Sequence, residues 1–427
     1  MSPKNRRLGA SPPPLIVKCS LILLQSWLVP FTAFAQGSLA PPAGPSPTMK
    51  SLDQIEARSP VDAVHTPGDA GNSFIISQPG SYYLTGNISG VSGQHGIAIN
   101  ADNVALDLNG FSMVGIGTNS AIIITGHTNI VIRNGTLRGW NAGIDTPGVN
   151  SKMRVEKVNA ISITATGITV APNSVVADCV AESCSAGGIT GGANALIERC
   201  QAISCGVGIS MGSPNPQIGM VNSCRAVSNN IGFSLDHGTV AVNCQALSNT
   251  GAAGFVVSAL SNVGVTLTDC SAISNSGKGI DATAGSAVLI ACNVIGNSGA
   301  GIDLGPNSVV RDCTIQQGAT SDGINLGPGS SLCWIYNNHI SSAGSNHNGI
   351  TLAGPGNRID GNTFTGGSAG STALIVPIGT NPSANIITRN VFINSAQTVF
   401  FNTPQKSAEF LTFSSGQVST DPWANIQ

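Results

Sequence analysis

The feature that most constrains this chain is a repeat. A Gly followed by a large apolar residue recurs at Gly96-Ile97, Gly143-Ile144, Gly167-Ile168, Gly188-Ile189, Gly208-Ile209, Gly232-Phe233, Gly254-Phe255, Gly279-Ile280, Gly301-Ile302, Gly323-Ile324 and Gly349-Ile350. Ala121-Ile122 and Ala373-Leu374 fall in the same series. From Gly143 the spacings are 24, 21, 20, 24, 22, 25, 22, 22 and 26. A second series keeps step with it: Cys179, Cys200, Cys224, Cys244, Cys270, Cys292 and Cys313, continued by Asn338, Asn362 and Asn390. Around each member the pattern reads Φ-x-x-Cys-x-Ala-Φ-Ser-Asn/Cys, as in LIERCQAISC. The apolar runs are short and bounded by Gly, Asn or Ser, which is how strands read, and no stretch keeps a helical period.

A period near 22 suits one coil of three short strands and three turns. A single coil cannot cover its own apolar residues, but stacking coils at ~4.8 Å pairs every strand and buries a continuous interior. Alternation then points Val176, Ile197, Val221, Leu267, Leu289, Val310, Ile335 and Ile359 inward, along with the Ala two residues after each Cys. The apolar residue after that Ala (Ile203, Val227, Leu247, Ile273, Ile295) forms an outward stripe, unless the inward register slips by one there. Such a stripe suits self-association or another partner. About twelve coil steps separate Ile97 from Leu374.

These features resemble the pectin-lyase-like right-handed parallel β-helix proteins. The segments PGSYYLTGNISG (79–90), VALDLNGFSM (104–113) and DPWAN (421–425) look like one secreted bacterial group with no established activity. The resemblance implies an all-β fold: a single-stranded right-handed parallel β-helix of about 12–13 coils with a short N-terminal capping helix. It does not imply an activity, because the fold hosts lyases, hydrolases, epimerases, adhesins and non-catalytic modules.

The ends of the chain are organised differently. Lys4, Arg6, Arg7 and Lys18 precede the apolar stretches Leu21–Leu24 and Trp27–Phe34, and Ala33-Phe34-Ala35 offers a cleavage site. Residues 1–35 therefore read as a signal peptide, and the product as exported: periplasmic, cell-surface or extracellular. Residues 36–48 are a Pro-rich linker. Residues 49–95 carry an N-terminal cap and the lead-in strands, with Ser51–Glu56 as a short capped helix. The helix proper spans 96–394. Residues 395–427 form a C-terminal cap, with Phe400, Phe401, Phe410, Leu411, Phe413 and Trp423 closing that end.

Charged residues make up 9% of the chain and the formal charge is −2, so no basic stripe points to nucleic acid. Eleven cysteines include Cys19, leaving ten beyond the leader. Export invites a disulfide reading, with Cys179–Cys200 and Cys184–Cys205 as the pairs to consider. Parallel side-chain vectors on stacked coils make the disulfide dihedral difficult, which favours inert stacked thiols. No CxxC or His cluster supports zinc.

The enzymes that the fold resembles use a calcium-binding acidic cluster with an Arg base, or N-T-D, paired Asp, G-H-G and R-I-K segments. None is present: Asp236-His237-Gly238 only approaches G-H-G, and Phe364 follows Asn362-Thr363. Catalytic residues are therefore not assignable, and no cofactor is implied beyond Ca2+. Three outer-wall clusters stand out. Asp281, Asp303 and Asn325 share one coil position, where stacked oxygen ligands suit calcium or simple solvation. Trp334 and Tyr336 flank inward Ile335, with Arg311 one coil below and Arg358 and Asp360 one coil above, a set that suits a glycan. Arg138, Trp140 and Asp145 form a third such set. Two readings follow: a non-catalytic glycan- or partner-binding or structural module, or a polysaccharide-acting enzyme, lyase before hydrolase, with an atypical site.

Overall fold

The computed structural model describes residues 57–148, 151–212, 218–236, 238–258, 263–317, 321–342, 347–366, 372–376 and 385–393, with short strands beyond. All of these belong to one unit, Glu56–Gln427. The signal peptide, the linker and the Ser51–Glu56 helix lie outside the described residues, as do His237 and the side chains of the tail aromatics.

Each turn of the chain lays down three strands. The first face carries the Gly-Ile strands, such as Thr166–Val170 and Gly187–Gly191. The second carries the residues before the Cys corner, such as Val175–Ala177 and Leu196–Glu198. The third carries those after it, such as Val180–Glu182 and Gln201–Ile203. First-face strands form a 15-stranded sheet, and the other two faces join into one of 30 strands. The joint arises because Thr128–Arg138 and Ser151–Ile161 run unbroken through the corner between them. Every strand pair is parallel, and like sits on like: Ile168 on Ile189, Ile189 on Ile209, Phe233 on Phe255, Ile302 on Ile324. The first face contributes one rung before Ile97, through Phe74, and one after Leu374, through Val399. No helix occurs among the described residues, so none there is long and apolar enough to cross a membrane.

The interior matches the alternation read from the sequence. Val176, Ile197, Val221, Leu267, Leu289, Val310, Ile335 and Ile359 are each 0% exposed. Ile203, Val227, Leu247, Ile273 and Ile295 are half-buried and stack directly on one another along the third face, so the stripe points outward as expected. Phe233 and Phe255 stack with ring centroids 4.7 Å apart, and Phe364 and Phe392 at 5.0 Å, which continues the stacking inside.

The corner before each ladder residue demands an unusual backbone. Asp178, Arg199, Ser223, Asn243, Asp269, Ala291, Asp312 and Asn337 all have φ between 51° and 58°. A side chain in this left-handed region costs roughly 1–2 kcal/mol. The ladder residue that follows offsets the strain. Asn338 Oδ1 accepts the Cys313 N–H at 2.9 Å, and Asn338 Nδ2 donates to the Val310 carbonyl at 3.0 Å and to Asn362 Oδ1 at 2.9 Å. The neighbouring corner repeats the device with Asn229, Asn249, Asn275 and Asn297, all buried. Cysteine takes the same place with a weaker acceptor: Cys224 Sγ lies 3.4 Å from the Cys200 N–H and donates to the Ile197 carbonyl at 3.5 Å. All ten cysteines among the described residues are free and buried. Burial pushes the Cys333 thiol up to about 11.

Candidate functional site

The second face alternates one inward residue with two outward columns. Rung on rung, Val309 pairs with Trp334, Trp334 with Arg358 and Arg358 with Ile386. The other column runs Arg311, Tyr336, Asp360 and Thr388. The structure thus brings Trp334, Tyr336, Arg311, Arg358 and Asp360 together on one outer wall. Trp334 is 42% exposed, although it is among the largest apolar side chains here. Its ring centroid lies 4.6 Å from that of Tyr336 at an interplanar angle of 36°, and the Arg358 guanidinium sits 5.4 Å from the Trp334 centroid.

Asp360 organises the cations. Its carboxylate accepts from Arg358 at 2.8 Å, from Arg389 Nε at 2.7 Å and from the Thr388 hydroxyl at 3.0 Å. The Asp360 side chain is only 2% exposed, whereas Arg358 and Arg389 are 41% and 47% exposed. Desolvation pulls the Asp360 carboxyl up, but the bonds from Arg389, Arg358 and Thr388 outweigh it and hold the group below its ordinary value. Arg311 instead pairs with Asp312 at 2.7 Å. Arg389 was not legible as part of this wall. It occupies the left-handed corner after Thr388, not a strand column, and its φ of 55° turns it back over Asp360.

The acidic cluster assembles as the spacing predicts, with Asp281 directly below Asp303 and Asp303 below Asn325. Lys278, from the same strand as Asp281, lies between the carboxylates, with Nζ 2.9 Å from Asp281 and 2.7 Å from Asp303. The amine supplies the positive charge that two stacked carboxylates require. Desolvation raises the Asp281 pKa, and Lys278 with Thr283 more than reverses it. Among the described residues no group of three His, Cys, Asp or Glu side chains is placed to hold a metal ion.

The third cluster is corrected. Trp140 is 1% exposed and belongs to the core. Its indole N–H donates to the Met113 carbonyl at 3.0 Å, and its ring fills the space that Gly90, Gly96 and Gly115 leave open. A Cβ on Gly115 would come within 2.5 Å of the ring. Trp140 therefore cannot stack on a sugar.

Residues 253–413 match the family model for the right-handed β-helix region. No curated protein matches the chain. Among solved structures, the A-module of the Azotobacter vinelandii mannuronan C-5 epimerase AlgE4 is similar at 16% identity, covering 77% of this chain and 91% of that one, with a TM-score of 0.44. The periplasmic alginate epimerase AlgG is similar at 11% identity, covering 82% of both chains, with a TM-score of 0.43. The alginate lyase AlyF-OU02 is similar at 8% identity, covering 83% and 87%, with a TM-score of 0.44. These are likenesses at low identity and say nothing of activity. The stacked parallel faces and the matched repeat region show that the fold of this chain is a right-handed parallel β-helix.

Proposed function

We propose that the chain is an exported, non-catalytic module that binds a polysaccharide along the wall built from Trp334, Tyr336, Arg311, Arg358 and Asp360. One observation carries the reading: a large exposed indole packed beside a tyrosine, with a guanidinium at its face and cations fixed by a buried carboxylate. Aromatic faces stack on the apolar faces of sugar rings, and oriented guanidiniums donate to hydroxyls or carboxylates. Asp360 accepts from two guanidiniums and a hydroxyl and is held ionised, which suits orienting those donors better than transferring protons. A polysaccharide lyase or hydrolase needs a group free to move a proton, and the wall does not supply one in Asp360.

The test is a polysaccharide panel read both for binding and for product. Wild type should retain at least one polymer without generating unsaturated or new reducing ends. Trp334→Ala should weaken that binding about tenfold, the scale of one lost aromatic contact, with an unchanged melting curve. Undiminished binding by Trp334→Ala would remove the wall from the reading. Product formation would replace the binding module with an enzyme.

A further inference from the structure

The wall at Trp334 has a counterpart at the other end of the same face. The outward column that runs Arg311, Tyr336, Asp360 carries Tyr83, Asp107 and Arg133 on successive rungs near its start. Asp107 is 8% exposed and accepts from Arg133 Nε at 3.0 Å and from the Asn134 amide at 3.1 Å. The Arg58 guanidinium lies 3.9 Å from the same carboxylate and 4.8 Å from the Tyr83 ring centroid. The composition is that of the first wall: an aromatic ring, a guanidinium at its face, and a sequestered carboxylate flanked by two arginines. Desolvation raises the Asp107 pKa, and its hydrogen bonds together with Arg133 reverse the shift, as at Asp360. Each cluster holds two cations against one anion, so each end of the face is net positive.

The track between them is continuous. Asp107 and Asp360 stand eleven rungs apart in one column, about 53 Å at ~4.8 Å per rung. The acidic residues in that column, Glu156 and Glu198, are paired with Arg154 and Arg199, and Arg199 also binds Asp178 at the adjoining corner. The adjacent outward column is apolar over most of the same span: Val131, Val175, Leu196, Met220, Val240, Val288 and Val309, interrupted by Arg154 and Thr266, and it leads up to Trp334 and Arg358. A ridge of mainly aliphatic side chains between two cationic aromatic clusters presents apolar surface to sugar rings, with paired charges along it and an excess of arginines over carboxylates in the cluster at each end.

We infer that Tyr83, Arg58 and Arg133 form a second polysaccharide contact, and that the second face holds one long acidic polysaccharide lengthwise through both clusters. The inference rests on the binding reading of the Trp334 wall and adds to it the ligand's charge, direction and minimum length. Two linked contacts turn the second binding event into an intramolecular one, so affinity rises steeply once a ligand reaches both.

The experiment uses the full chain, calorimetry and size-fractionated oligogalacturonates, with cello-oligosaccharides as the neutral arm. Oligogalacturonates long enough to span about 53 Å should bind more than tenfold tighter than short ones, and cello-oligosaccharides should show no such step. The Tyr83→Ala/Arg133→Gln double variant should lose the gain for long oligomers, binding long and short ones alike through the Trp334 wall alone. Arg58→Gln leaves the Arg133–Asp107 bond in place and should act the same way, which guards against a folding defect in the double variant. Affinity that does not depend on length, or that depends on it equally in the variants, overturns the second contact while leaving the Trp334 wall standing. Equal steps for neutral and acidic oligomers overturn the charge requirement. No binding of either series by wild type overturns this inference, and the polysaccharide panel decides the wall independently.

Discussion

Replacing Asn249 with Ala, Cys and Asp separates what the corner ladder contributes. In wild type, Asn249 Oδ1 accepts the Asn229 backbone N–H at 2.9 Å, and its amide donates to the Ala226 carbonyl at 3.3 Å and to Asn275 Oδ1 at 2.8 Å. Asn249→Ala leaves the Asn229 N–H buried with no acceptor from that side chain, which costs about 1–3 kcal/mol. The void adds about 1 kcal/mol, so the expected loss is about 3 kcal/mol. Asn249→Cys restores an acceptor of the kind that Cys224 offers Cys200 at 3.4 Å, and should cost only about 1 kcal/mol. The gap of about 2 kcal/mol corresponds to roughly thirty-fold in local opening. Asn249→Asp places a second oxygen against the Ala226 carbonyl and the Asn275 oxygen, so it should be the worst of the three at pH 7 and recover in mild acid as the carboxyl protonates. Hydrogen exchange of the Asn229 amide, with urea unfolding for the total, reads all three. Stability in a solenoid is a sum of repeat and nearest-neighbour terms, so lost protection should stay within the adjoining rungs. Equal effects of Ala and Cys, or protection lost far from residue 229, would refute the reasoning.

Three further outcomes follow from the structure. Lys278→Met strips the amine from between Asp281 and Asp303; the melting temperature should fall at pH 7 and recover either as pH drops or with millimolar calcium, and no change in either case would show the carboxylates to be independently solvated. Asp360 titrates below its ordinary value, so its contribution to stability is complete above the unfolded pKa near 3.9 and disappears as pH falls through the folded one. Asp360→Asn should accordingly be destabilising at neutral pH and flatten that part of the acid limb, which a series of melts at pH 2–5 would reveal. The native protein should resist iodoacetamide at pH 8, where Cys333 is about one part in a thousand thiolate, whereas unreduced denatured protein should expose all ten ladder and corner thiols; fewer than six would mean disulfides.

The fold was legible because its signal is one-dimensional. A residue such as Ile335 or Val176 announces its inward direction by its distance from the corner, and every rung repeats the message. Features that depend on one rung fitting another specifically were harder to read. Trp140, beside Arg138 and Asp145, has the surroundings of an exposed aromatic, yet its cavity is made by three glycines on earlier turns. Lys278 sits in the same strand as Asp281, but its bond to Asp303 crosses to the next rung. Arg389 escaped because a left-handed corner redirects a side chain away from the column its number suggests. The Tyr83–Asp107–Arg133 column escaped because it precedes the Cys ladder and lacks its marker. At the Trp334 wall the strand alternation was enough, since all five expected residues lie in strand columns.

The corner ladder also gives the rod a polarity. Along the Asn ladder a turn's corner N–H is satisfied by a side-chain oxygen from the following turn, as Asn229 is by Asn249 and Asn249 by Asn275. A chain emerging from its N-terminus therefore completes each turn only when its successor arrives, and the growing tip always carries unmet donors. The leading end can be sealed only by something that brings acceptors, so the two termini of such a rod are chemically unlike and cannot exchange stoppers.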